Sequence, residues 1–151
     1  MVDVTDKPEV YREALAKGRI RLRRETIEKV KAEEVKKGDV LTVARVAAVQ
    51  AVKETSRSIL LCHPIQVTSV NVDFSLEDDS IEVRVRVKAF AQTGVEMEAL
   101  NGVATALLNI WDMVKYLEKD ETGNYPFTKI EEICVERKVK SLADRQVGQT
   151  S

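Results

Sequence analysis

Val70-Asn71-Val72-Asp73-Phe74-Ser75-Leu76, then Glu77-Asp78-Asp79-Ser80, then Ile81-Glu82-Val83-Arg84-Val85-Arg86-Val87-Lys88 is the stretch that decides the fold. Apolar and polar residues alternate on both sides of a short acidic break. Alternation at period two is the signature of a half-buried strand, and the break reads as a hairpin connection. One face of the pair is apolar and the other charged, which predicts an antiparallel pair covered by helices on one side only.

Downstream, Gln92-Thr93-Gly94 turns the chain into a long helix from about Val95 to Glu118. Leu100, Val103, Leu107, Ile110, Trp111, Val114 and Leu117 recur at helical spacing and predict its buried stripe. A second stripe holds Glu98, Asn101, Thr105, Asn109 and Asp112, all on one side. Short, fixed polar groups suit a lined pocket better than a solvated face, which flexible lysine and glutamate normally supply. Lys115 lies three residues after Asp112, so the two are neighbours on the helix surface. Lys119 to Pro126 reads as a loop and Thr128 to Val139 as a last strand. Ser141 to Ser151 is polar and aperiodic and is expected to be a disordered tail on a single domain spanning residues 1 to 140.

Upstream, Val40 to about Thr55 predicts a helix that is apolar most of the way round, with Asp39 as its N-cap. Lys53 belongs at its edge or against a polar site, because a buried unpaired lysine is costly. Glu25 to Val35 predicts a polar helix broken by Lys36-Lys37-Gly38. Arg19-Ile20-Arg21-Leu22-Arg23 alternates and reads as a strand. Its arginines read as a solvated strand face in preference to an anion site. Pro8 and Gly18 bracket Glu9 to Lys17 as a short helix carrying Arg12. In Leu61-Cys62-His63-Pro64 the proline pushes His63 out of helical geometry and into an extended loop. Taken alone, His63 reads equally as a structural histidine bonded to a backbone carbonyl or as a functional group. The sequence of strand, helix, strand, strand, helix, strand predicts an α+β domain: a ferredoxin-like antiparallel sheet with its helices on one face.

The composition, 44% hydrophobic and 32% charged, is that of a globular domain. A net charge of −1 gives no global basic field for nucleic acid, and aromatics make up only 5%. The two alternating strands offer only Phe74 and Phe90 for base stacking, so no nucleic-acid partner is expected. Two cysteines, Cys62 and Cys134, make no disulfide framework and read as thiols in a reducing compartment. No signal segment or apolar run long enough for a membrane span is found, so a cytoplasmic location with no membrane partner is expected. A single histidine excludes zinc sites built from several histidines, and no metal ligand set is proposed.

Taken together, Met1-Val2-Asp3-Val4-Thr5-Asp6-Lys7, Lys37-Gly38-Asp39-Val40, Leu61-Cys62-His63-Pro64, Thr93-Gly94-Val95-Glu96-Met97-Glu98-Ala99-Leu100 and Asp112-Met113-Val114-Lys115 resemble the molybdenum cofactor biosynthesis protein C family. The likeness spans about residues 1 to 140. Leu60 stands where the family usually has proline, and Trp111 where tyrosine is common. After Lys138, the usual Ser-Gly-Gly-Lys-Ser run is shortened to Val139-Lys140-Ser141.

The resemblance implies a cyclic pyranopterin monophosphate synthase, a phosphorus–oxygen lyase. Its substrate would be a cyclised dihydro-GTP, rearranged to a pyranopterin with a cyclic phosphate as pyrophosphate leaves. It implies Asp112 and Lys115 as the catalytic acid–base pair. It implies Leu61, Cys62, His63, Met97, Glu98, Arg12, Lys37, Lys53, Glu96 and Lys138 as substrate-binding residues. It also implies a homohexamer, a trimer of dimers with the active site at a subunit interface. No resident cofactor is expected, and Mg²⁺ riding on the substrate phosphates is compatible with the chemistry. The competing expectation is a non-catalytic ferredoxin-like module for small-ligand binding or oligomerisation. Under that reading, the charged residues scatter over the surface instead of clustering within one ligand's reach.

Overall fold

The computed structural model describes residues 1–141. The expected tail lies outside the described residues from Leu142 onward, and Ser141 closes the last strand instead of beginning the tail. The elements are β1 (Val10–Arg21), α1 (Arg24–Lys31), α2 (Val40–Lys53), α3 (Thr55–Ser58), β2 (Val67–Leu76), β3 (Ser80–Ala91), α4 (Glu96–Glu118) and β4 (Lys129–Ser141). The strands form one sheet in the order β2-β3-β1-β4, with each neighbouring pair antiparallel. That order, with α2 and α4 on a single face, is the expected ferredoxin-like α+β arrangement.

The hairpin of β2 and β3 forms as the alternation predicts, pairing Val70 with Val87 and Leu76 with Ile81. The long helix and the Asp39-capped helix also form. The Asp39 side chain accepts a hydrogen bond from Thr42 N–H at 3.1 Å, satisfying one free donor of the first turn of α2.

The expected helix over Glu9 to Lys17 does not form; Val10 to Lys17 are the first two thirds of β1. Glu, Ala, Leu and Lys are good helix formers, but a strand at the centre of the sheet has two partners. Val10, Arg12, Ala14, Ala16 and Gly18 alternate inward along it, and the small ones, Ala14, Ala16 and Gly18, are what the crowded space under the helices admits. Gly18 does not stop a helix. A Cβ at Gly18 would sit 2.8 Å from Val103 Cγ1 and 2.9 Å from Ile133 Cγ1, so glycine is required where α4 crosses the strand.

The core lies between the sheet and the helices. Ala14, Ala16 and Ile20 of β1 and Val83, Val85 and Val87 of β3 meet Ala44, Ala48 and Val52 of α2 and Val103, Leu107 and Ile110 of α4. The other sheet face carries an ion lattice between strands. Glu131 on β4 accepts from Arg19 Nε at 2.8 Å and Arg21 Nε at 2.7 Å, and Arg21 also reaches Asp79 at 3.2 Å. Arg19 first and Arg21 second hold the Glu131 carboxyl down at about 2. The arginine run expected to be a solvated face is thus largely spent on carboxylates of the neighbouring chain segments.

One further buried network fixes the end of α4. Glu118 is fully buried, and its carboxylate accepts from Arg23 N–H at 3.1 and 3.2 Å, from the Thr128 hydroxyl at 2.7 Å and from the Thr26 hydroxyl. One side chain therefore ties the start of α1, the end of α4 and the approach to β4 together.

Candidate functional site

Apart from Lys53, the site-candidate residues fall into two groups at opposite ends of α4. At the C-terminal end, Asp112 is held between two ammonium groups. Lys37 Nζ lies 2.8 Å from Asp112 Oδ2, and Lys115 Nζ lies 3.0 Å from Oδ1. Lys37 also donates to the Asp112 carbonyl at 3.2 Å. Lys37 is placed by the loop between α1 and α2, which is pinned to α4. The Lys36 N–H donates to the Tyr116 hydroxyl at 2.9 Å, and the Lys36 ammonium stands 5.3 Å from the Tyr116 ring centre. The loop then turns at Gly38, whose φ of 115° is strained for any side-chain-bearing residue.

The hydrogen bond from Lys37, followed by that from Lys115, holds the Asp112 carboxyl below the usual range, while Asp112 raises Lys115. Asp112 and Lys115 therefore stay charged at neutral pH. With Lys37 the trio carries a net positive charge, so it is suited to receiving phosphate oxygens. Asp112 serves as the fixed anion that aims the two cations. Beside it, Leu108, Trp111, Asp112, Lys115, Tyr125 and Ile130 line a cavity of about 410 Å³. The Trp111 and Tyr125 rings meet edge to face, with centroids 5.2 Å apart.

At the N-terminal end of α4, a cavity of about 380 Å³ is lined by Leu61, Cys62, His63, Glu96, Met97 and Glu98, together with Val2, Val4, Lys7 and Thr93. Glu98 is 3% exposed, and desolvation, with a smaller push from Glu96, raises its carboxyl to about 7. It therefore exchanges a proton near neutral pH, which suits a group that must both give and take one. Burial, with Glu98 and Glu96 nearby, pushes the Cys62 thiol up. Glu96 Oε1 pairs with Lys138 at 3.2 Å across from β4, and its Oε2 is buried without a partner among the described residues. His63 Nε2 lies 2.7 Å from the Val2 carbonyl oxygen. Arg12 is buried under this end, donating from Nη2 to the Gln92 carbonyl at 3.1 Å and from Nε to the Ala91 carbonyl at 3.4 Å.

The two groups do not share a cavity within one chain. At about 1.5 Å of rise per residue, the step from Glu98 to Asp112 is about 21 Å. Lys53 joins neither group; it is exposed at the end of α2, beside Arg45, Val46, Val49, Gln50 and Glu54. The predicted polar stripe divides too. Asn101, Thr105 and Asn109 line a separate cleft with Gln50, Glu54 and Arg57, while Glu98 and Asp112 serve the two ends. Sequence reasoning did not single out Lys7 and Thr93 as cavity residues. Lys7 lies within the Met1–Lys7 motif, which was the available signal.

Among the described residues, no group of three or more His, Cys, Asp or Glu side chains is placed to hold a metal ion, and no helix is long and apolar enough to cross a membrane. Cys62 and Cys134 are free.

Comparison with known proteins places these residues in a family. The MoaC family model matches residues 1–141. A probable cyclic pyranopterin monophosphate synthase of Thermococcus kodakarensis is 57% identical over 140 residues, covering 93% of this chain and 90% of the relative. A protein of the same description from Aeropyrum pernix is 59% identical over 140 residues, covering 93% and 96%. Another, from Archaeoglobus fulgidus, is 57% identical over 140 residues, covering 93% and 90%. With the family model matching essentially every described residue, and relatives this similar along nearly their whole length, the chain belongs to the MoaC family.

Proposed function

We propose that this chain is a cyclic pyranopterin monophosphate synthase of molybdenum cofactor biosynthesis. It converts a cyclised dihydro-GTP to the cyclic monophosphate and releases pyrophosphate. The observation that carries the reading is the Asp112 carboxylate clamped between the Lys37 and Lys115 ammonium groups beside an open cavity. Forming a cyclic phosphate requires a sugar hydroxyl to lose its proton and attack the α-phosphorus, with the bond to pyrophosphate breaking. Fixed cations neutralise the charge that builds on the leaving group. Lys115 and Lys37 supply them, Asp112 orients both, and any Mg²⁺ rides on the substrate phosphates. Glu98, His63 and Cys62 receive the pterin ring, where protons move on and off nitrogen and carbon. Arg12, Glu96 and Lys138 support that end, and Lys53 extends the basic lining from a neighbouring copy.

The separation of the two groups along α4 supports a site shared between copies. A second copy must bring its Asp112 trio to the His63 cavity of the first. The outer faces of α2 and α4 offer the surface for it, with Val46 62% and Leu108 60% exposed. A hexamer built from such pairs repeats the shared site. The test is incubation with the cyclised dihydro-GTP while following pyrophosphate. A folded parent protein that releases none would overturn the synthase reading and leave a non-catalytic module in its place.

A further inference from the structure

Residues 1–7 are mostly exposed, with Val2 at 76%, yet they are pinned at both ends. His63 Nε2 lies 2.7 Å from the Val2 carbonyl oxygen, and Gln92 Nε2 donates to the Lys7 carbonyl at 3.1 Å. Between the pins the segment is stiffened internally. Asp3 Oδ1 accepts from the Thr5 N–H at 2.9 Å and from the Thr5 hydroxyl at 2.5 Å, and Lys7 N–H closes a turn on the Val4 carbonyl at 3.0 Å. The hydrogen bonds from Thr5 hold the Asp3 carboxyl below the usual range, so the turn keeps its charge at neutral pH. Val2, Val4 and Lys7 form one wall of the cavity that contains Cys62, His63 and Glu98.

A carbonyl oxygen only accepts, so the hydrogen of that contact belongs to Nε2. In the neutral ring Nδ1 then keeps its lone pair, because the bond one ring nitrogen makes decides the state of the other. We infer that residues 1–7 are a strap that sets the tautomer of His63, with the Val2 carbonyl as its positioning group and Nδ1 left as the proton acceptor of the ring. Asp3 and Thr5 build the turn that presents the carbonyl. This gives the Met1–Lys7 motif a task that its solvent exposure alone does not suggest. The charged groups around the ring are Lys7, Glu96 and Glu98 on the cavity side, Glu9 in the adjoining cleft, and Asp3 on the strap itself. The consequence for turnover rests on the synthase reading; the tautomer does not.

The chain has a single histidine, so nitrogen-labelled protein without an added histidine tag gives one set of imidazole signals. Long-range proton–nitrogen correlation spectra, recorded where the ring is neutral, read the tautomer directly. The parent is expected to show Nε2 protonated and Nδ1 bare. A chain lacking residues 1–4 is expected to show the two nitrogens moving toward a common averaged position, with its backbone amide spectrum still dispersed. The double substitution Asp3→Ala with Thr5→Ala keeps the chain length and is expected to move them the same way. In pyrophosphate release, both variants should lose about tenfold or more in kcat with a smaller change in KM, as a wrong tautomer does elsewhere.

A parent ring that is averaged or carries its proton on Nδ1, or ring signals unmoved by removing the strap, would overturn the inference. A shifted tautomer with unchanged kcat would overturn the positioning role. A parent with the expected tautomer and no turnover refutes the synthase reading and leaves the strap standing.

Discussion

Lys37 Nζ lies 2.8 Å from Asp112 Oδ2, joining the loop ahead of α2 to the last third of α4. Lys37→Ala, Asp112→Ala and Lys115→Ala are each expected to lower pyrophosphate release by about a hundredfold or more, the scale of a lost acid–base or charge-stabilising group. All three side chains reach solvent, so melting midpoints should stay within about 2 °C of the parent. Calorimetry and a turnover assay on the same samples separate the two effects. Turnover at the parental rate in all three variants would detach the trio from the chemistry.

Because the trio and the His63 cavity sit at opposite ends of one helix, the proposed sharing between copies makes a mixing prediction. Lys115→Ala and Glu98→Gln should each be nearly inactive alone. Unfolded together and refolded as a mixture, about half the pairs contain one of each, and each such pair holds one intact site of two. Recovery to about a quarter of the parental rate is expected. No recovery, despite verified exchange of subunits, would place both groups in one chain's site.

Glu98 makes stability depend on pH in a stated direction. Its folded value of about 7 lies above the ordinary 4.5, so the folded protein binds the proton more tightly than the unfolded chain. Stability is therefore full below about 4.5 and falls as pH rises toward about 7, by an amount of order 3 kcal/mol. Urea unfolding at pH 5 and pH 8 measures it. Glu98→Gln, which cannot ionise, should flatten that part of the profile, and a profile equally steep in the variant would mean another group is responsible.

Glu118 touches no candidate site residue and should act on stability alone. Replacing it with alanine strands the Arg23 N–H and the Thr26 and Thr128 hydroxyls in a buried place. The expected cost is about 3 to 5 kcal/mol, read by urea unfolding. Activity per folded molecule should be unchanged in buffer without denaturant.

Some of this was legible in the sequence. The hairpin, the Asp39-capped helix and the long helix follow from period and capping, because each has a local pattern strong enough to survive its surroundings. The first part of β1 was not legible. Glu13-Ala14-Leu15-Ala16-Lys17 has helical propensity, and only its place between β3 and β4 under α4 overrides it. The residues of the two site groups came from the resemblance; the predicted helix already put Glu98 and Asp112 near its two ends, but not that the His63 loop closes on the first end and Lys37 on the second. The burial of Glu98 was equally hidden. The cavity it lines is walled partly by the His63 loop and residues 1–7, which are remote from it in sequence.

The Glu118 network also sets how the molecule yields locally. A helix end held by a buried carboxylate with partners on two other segments has no way to fray by itself. Amide hydrogens from Ile110 to Glu118 should exchange with solvent only when the whole domain opens. Those of residues 1–7, outside the core, should exchange orders of magnitude sooner. Exchange in that order would mean that the strap over the His63 cavity can open while the helix that carries Asp112 stays intact.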